Sequence, residues 1–127
     1  YDPTTKISGL AHIMLPDSTQ ARATDNTAKF ADTAIPVLLD QVVRLGAAKN
    51  RITAKIAGGS QMFSFAQASD VMRIGDRNVE AVREVLKSLS IRILADDVGG
   101  NYGRTVELQL DTGIFVIKTV NKGDNRL

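Results

Sequence analysis

The chain has 127 residues, a formal net charge of +2, 43% apolar and 24% charged residues, a balance that fits one globular domain and excludes a disordered tract. It has one histidine and no cysteine, so disulfides, thiolate metal sites and histidine-rich metal centres are excluded for these residues. Basic and acidic residues are interleaved without an arginine-rich stripe, which leaves a nucleic-acid partner unsupported, and no apolar run reaches the ~20 residues of a membrane span, so a cytoplasmic protein not inserted in a membrane is expected.

The first residues are Tyr1-Asp2-Pro3, without a methionine. Asp-Pro is a turn signal, and a turn follows an earlier element, so the expectation is that something N-terminal to Tyr1 is missing. Lys6 to Leu15 reads as a short strand stopped by Pro16, followed by a polar loop to Asp25. A helix is predicted from about Asp25 to Leu45, with Phe30, Ala34, Leu38, Val42 and Leu45 on one face. Thr24 or Asp25 would cap it and Gly46 would end it, and Pro36 predicts a kink or a split.

Arg51 to Ala57 alternates, with Ile52, Ala54 and Ile56 on one face, and reads as a half-buried strand ended by Gly58-Gly59. Ser60 to Arg73 reads as a loop. A second helix is predicted from about Asp76 to Leu89 on the stripe Val79, Val82, Leu86 and Leu89. Ile91 to Ala95 reads as a short strand, and Asp96 to Gly103 as a glycine-rich loop. Thr105 to Leu110 and Ile114 to Val120 form a hairpin about Asp111-Thr112-Gly113, and the tail from Asn121 is expected to fray. The order of elements predicts a single α+β domain, mixed β-sheet layers with two main helices packed on them.

His12 is the one residue able to exchange protons near neutral pH without a perturbed pKa. It is either a structural histidine bonded to backbone or a base beside a nucleophile. Ser8, four residues earlier, offers a weak Ser-His pairing with no visible acid. The glycine turns at Gly58-Gly59 and Gly99 to Gly103 either hold an oxyanion on their backbone N–H groups or only permit unusual backbone angles. Met62, Phe63 and Phe65 either enter the core or form a contact patch. Asp96-Asp97 reads as a solvated or capping pair rather than a cation site or a base, since one pair of carboxylates is a poor metal site. Arg104 reads as a surface ion pair or as a contact to a carboxylate or amide.

Four segments in order carry a resemblance. Gly9-Leu10-Ala11-His12-Ile13-Met14-Leu15-Pro16-Asp17-Ser18, Lys55-Ile56-Ala57-Gly58-Gly59-Ser60-Gln61-Met62-Phe63, Ile74-Gly75-Asp76-Arg77-Asn78 and Asp96-Asp97-Val98-Gly99-Gly100-Asn101-Tyr102-Gly103-Arg104 closely resemble the motifs of CheD proteins, across nearly the whole chain. The resemblance implies a fold like the cysteine hydrolases of the cytotoxic necrotizing factor toxins. It implies hydrolysis of glutamine side chains on chemoreceptors, the methyl-accepting chemotaxis proteins, to glutamate and ammonia, with no cofactor. A thiolate would attack the amide carbon and His12 would move the protons. The resemblance also implies the phosphatase CheC as a partner on the substrate face. Gly58, Gly59, Met62, Phe63, Phe65, Asn101 and Arg104 are the expected substrate or partner contacts, near His12.

The family places its nucleophile in a Gly-Ser-Cys motif just before the stretch matching Tyr1-Asp2-Pro3, with a threonine upstream that assists the site. Residues 1–127 hold neither. The expectation is therefore a single CheD-like domain lacking its N-terminal strands, with the cysteine upstream. The alternative is a non-catalytic CheD-like module that binds and regulates CheC.

Overall fold

A computed structural model describes residues 1–19, 22, 26–62, 74–120 and 122–127. The first helix, α1, spans Ala31–Arg44 and buries Ala31, Ala34, Ile35 and Val42. It starts later than the periodicity predicts. A short 3-10 turn, Thr27–Lys29, capped by Asn26, takes the preceding residues, and Phe30 enters the helix without a side-chain cap. The predicted caps Thr24 and Asp25 lie outside the described residues. Pro36 does not split the helix; it removes one N–H from the ladder and the run continues to Arg44. Leu45 is 72% exposed, off the predicted stripe, because the helix has already ended there; Gly46 follows at φ +115°, a backbone angle glycine adopts freely.

Strand β1 (Thr53–Gly58) pairs in parallel with β2 (Arg92–Val98), and α2 (Ile74–Ser88) runs between them in sequence. The register slips between Ala54 and Lys55, opposite Ile93 and Ala95, so Leu94 bulges out of the pair. Ile52, Ala54 and Ile56 face the helices. There they meet Val82 and Leu86 of α2 and Ile35 and Val42 of α1, the main core.

The second sheet is antiparallel: β3 (Thr105–Leu108), β4 (Phe115–Thr119) and β5 (Gly123–Arg126), with β4 central. Phe115, Val116 and Ile117 are buried, Ile117 completely. The tail expected to fray is therefore a strand. Gly-Asp-Asn-Arg shows no apolar alternation, but its backbone completes the β4 ladder. Lys55 joins the two sheets, its ammonium donating to the carbonyls of Gly113 (2.7 Å) and Leu127 (2.9 Å).

The predicted strand from Lys6 to Leu15 is absent. The chain turns back after Asp2, whose N–H donates to Ile7 O and whose carbonyl accepts from Lys6 N, with Lys6 at φ +63°. Among the described residues no backbone hydrogen bond is made by residues 8–13. Pairing resumes at Met14 and Leu15, both of which donate to Lys29 O. An extended segment becomes a strand only when a neighbour takes its N–H and C=O groups, and none does here. Asp2 itself is fully buried. It accepts from Arg51 Nε (3.0 Å) and Nη2 (2.8 Å) and from the amides of Ala48 and Thr4, so its carboxyl is held well below the usual range, chiefly by Arg51.

Gly59 and Gly75 bring the end of β1 against the start of α2. A methyl group on Gly75 would lie 2.4 Å from Gly59 O, and one on Gly59 would lie 2.4 Å from Val79. Gly59 also has φ +67°, so both space and backbone angle demand glycine there.

Candidate functional site

A cleft of about 1120 Å³ opens between the helices and the sheets. His12, Gly58, Gly59, Asn78 and Arg104 line it, with an apolar floor that includes Leu38, Ile56 and Val82. His12 sits on the segment without backbone partners and is exposed. Its ring makes no hydrogen bond among the described residues, unlike a structural histidine tied to backbone. Ser8 and His12 are not hydrogen-bonded to each other, which leaves the serine pairing without geometric support.

The polar wall of the cleft is a knot around Arg104, which is only 3% exposed. Its Nε donates to Asp97 (2.9 Å), Nη1 to Ser60 Oγ (2.5 Å) and Gly99 O (2.9 Å), and Nη2 to the Tyr102 hydroxyl (2.9 Å). The guanidinium also lies 4.1 Å from the centre of the Tyr102 ring. Ser60 Oγ donates in turn to Tyr102 O. Arg104 thus ties the loop after β1 to the loop after β2. This corrects the surface-pair reading, and with its donors engaged the side chain has little left for a substrate. Asp97 also accepts from Asn125, and this bond, ahead of Arg104, keeps its carboxyl below the usual range. Asp96 pairs with Arg83 at 2.9 Å, so both acids of the Asp96-Asp97 pair face basic or amide partners.

The expected contacts divide. Gly58, Gly59 and Arg104 line the cleft with His12. Met62 is 58% exposed beside Gly103. Asn101 is exposed and does not line the cleft. Phe63 and Phe65 lie outside the described residues. Sequence reasoning passed over Asn78. Its Nδ2 donates to Met14 O at 3.1 Å, and its Oδ1 is buried without a partner among the described residues. The one signal for it was its place in the Ile74 to Asn78 segment quoted above.

The open edge of β1 adds a geometric constraint. Gly58 O accepts from Gly99 on the β2 side, so Thr53, Lys55 and Ala57 direct their backbone groups to the other edge. There Thr53 exchanges both bonds with Tyr1, N–H to O at 2.9 and 3.0 Å, as in an antiparallel pair. Among the described residues no backbone group pairs with Lys55 or Ala57 on that edge.

The family described as CheD chemotactic sensory transduction matches residues 14–119. A protein of Lachnoclostridium phytofermentans named probable chemoreceptor glutamine deamidase CheD is 50% identical over 127 residues, all of this chain and 79% of the relative. The chemoreceptor glutamine deamidase CheD of Halalkalibacterium halodurans is 51% identical over 128 residues and 79% covered. The probable deamidase of the same name in Clostridium botulinum is 53% identical and 78% covered. Among the described residues no helix is long and apolar enough to cross a membrane.

Proposed function

The chain belongs to the CheD family, and on that premise we propose that it is the body of a chemoreceptor glutamine deamidase, with His12 as its proton carrier. The observation that carries the reading is an exposed, unpartnered histidine lining a cleft shared with Gly58 and Gly59 at the end of a strand. The nucleophile is a cysteine preceding Tyr1. The Tyr1–Thr53 pair supports this placement. Residues before Tyr1 that continue this ladder run antiparallel to β1 toward Gly58, alternating their bonds between Lys55 and Ala57 on one side and the unpaired 8–13 segment on the other. Such a strand carries a side chain to the His12 end of the cleft, in a fold like that of the cytotoxic necrotizing factor toxins.

The chemistry follows from those positions. His12 takes the thiol proton, and the thiolate adds to the carboxamide carbon of a receptor glutamine. The tetrahedral oxyanion forms beside the Gly58-Gly59 turn, where backbone N–H groups are the available donors. Collapse breaks the C–N bond, His12 gives its proton to the nitrogen, and ammonia leaves. Water, deprotonated by His12, then cleaves the thioester to release glutamate and the thiol. No cofactor is required.

Leu10 (59% exposed), Met14 (59%) and Met62 (58%) support a protein-contact rim. Asn78 holds Met14 and Asp76 accepts from Gln61, which sets two of these side chains beside the start of α2. This rim is the surface for the receptor and for CheC in the cytoplasm, and a CheD-like module that only regulates CheC would use the same face.

The test is full-length protein incubated with purified receptor in oxygen-labelled water. Ammonia release with one labelled oxygen in the new glutamate is expected, and both are lost in His12→Ala. CheC binding without any ammonia release would select the regulatory module instead.

A further inference from the structure

We propose that the oxyanion donor of the reaction is the Gly59 N–H and that Ser60 is its positioning residue; this deepens the deamidase reading and rests on it. A trans peptide points its C=O and N–H in opposite directions, and no peptide bond among the described residues is cis. Gly58 O accepts from Gly99 N–H at 2.8 Å on the β2 side. The N–H of the same peptide unit, that of Gly59, therefore points away from β2. Gly58 at φ +115° and Gly59 at φ +67° turn the chain out of the extended ladder. A strand that pairs with Lys55 and Ala57 thus does not take this N–H. No described residue accepts from it, and Gly59 lines the cleft with His12. The N–H is left for an oxygen that gains charge in the cleft.

The second observation is what stops that peptide from turning. Glycine on both sides offers no side chain to bar a flip. Gly99, the residue that holds Gly58 O, is not packed either, since a methyl group there would touch nothing within 4 Å. Hydrogen bonds hold it instead. Its carbonyl accepts from Arg104 Nη1 at 2.9 Å and lies 3.2 Å from Ser60 Oγ. Ser60 follows Gly59 directly in the chain. Its hydroxyl accepts from Arg104 Nη1 (2.5 Å) and donates to Tyr102 O (2.6 Å). Among the described residues this hydroxyl is the one side-chain link from the loop after β1 to the buried Arg104. Without it, the direction of the Gly59 N–H rests on backbone bonds between two glycine-rich loops.

The experiment compares Ser60→Ala with wild type, both as full-length protein. Receptor deamidation gives kcat and KM. A receptor peptide whose target glutamine carries an aldehyde in place of the carboxamide is the second probe. The thiolate adds to the aldehyde carbon, the C=O pair moves to oxygen, and that oxyanion occupies the turn. Ser60→Ala is expected to lower kcat ~100-fold, the lower end for a lost oxyanion donor, with KM held. Aldehyde binding should weaken by the same factor while binding of the unmodified peptide is unchanged, a selectivity that loosened structure alone does not produce. In wild type the amide proton of Gly59 should move downfield in NMR when the aldehyde binds, and this reading carries the test if the alanine variant does not fold. The proposal is overturned by a folded Ser60→Ala that keeps its kcat, by a loss confined to KM, or by aldehyde binding equal to wild type. Wild-type protein that releases no ammonia sinks the deamidase reading and this inference with it. An active wild type whose Gly59 amide does not move on aldehyde binding sinks this inference alone.

Discussion

Ile117 and His12 have opposite surroundings within one small domain. Ile117 is wholly buried on a central strand with ladders on both sides, from β3 and from β5. His12 is exposed on a segment that borrows no backbone bond from any described residue. In the first region stability is local, because every peptide group has a fixed partner. In the second, order is imposed from a distance, through Asn78, the Asp2 turn and packing of Gly9 against Leu38 and Val42. A proton carrier needs access and a free ring nitrogen, and both are lost in a region built like the β4 sheet.

Mutation can sharpen that contrast. The largest effect is expected at the open end: His12→Ala in full-length protein should lower receptor deamidation about a thousandfold, within the range for a general acid–base group, with no change in melting temperature. A parallel fall in both would mean that the ring also supports the fold. Next is Arg104→Met, which leaves Asp97 without its buried cation and frees both glycine loops. A loss of about 3 kcal/mol in denaturant unfolding is expected, with activity falling as the loops loosen. Ile117→Ala should cost a similar or slightly smaller ~3 kcal/mol by leaving a cavity, yet leave kcat unchanged below the melting point, since the β4 sheet holds no reacting group. An activity defect in this variant at low temperature would break the division between the two regions.

The smallest effect concerns pH. Asp2 and Asp97 have folded pKa values below their unfolded ones, so both contribute stability that is present above the ordinary carboxylate pKa of about 4 and lost as pH falls below it. Melting temperature should be flat between neutral pH and that point, then drop. Asp2→Asn should lower the plateau and flatten the drop, because it removes the carboxylate that Arg51 and two backbone amides hold. A drop as steep as in wild type would assign the acid sensitivity to other carboxylates.

The sequence was legible where side chains decide the structure. Alternation at Ile52, Ala54 and Ile56 and the stripe at Val82 and Leu86 mark the surfaces that meet in the core. It was misleading where backbone pairing decides. Gly123–Arg126 is polar throughout and still a strand, whereas residues 8–13 are half apolar and make no backbone hydrogen bond among the described residues. In the candidate site, His12 could be singled out because its chemistry is unique in the chain. Arg104 could be located but its part could not, since the partners Ser60 and Gly99 come from loops distant in sequence. Asn78 was marked only by its place in the Ile74 to Asn78 segment, because an asparagine on a helix surface is ordinary until its neighbours in space are known.

The contact between Gly59 and Gly75 has a mechanical consequence. Backbone touching backbone has no side-chain cushion, so β1 and α2 mesh like two gear teeth at that point. A partner that pushes on the rim beside α2 cannot tilt the helix without moving the end of β1 with it. Motion of the start of α2 is therefore shared with the Gly58-Gly59 turn, and a single methyl group at either glycine would jam the gear.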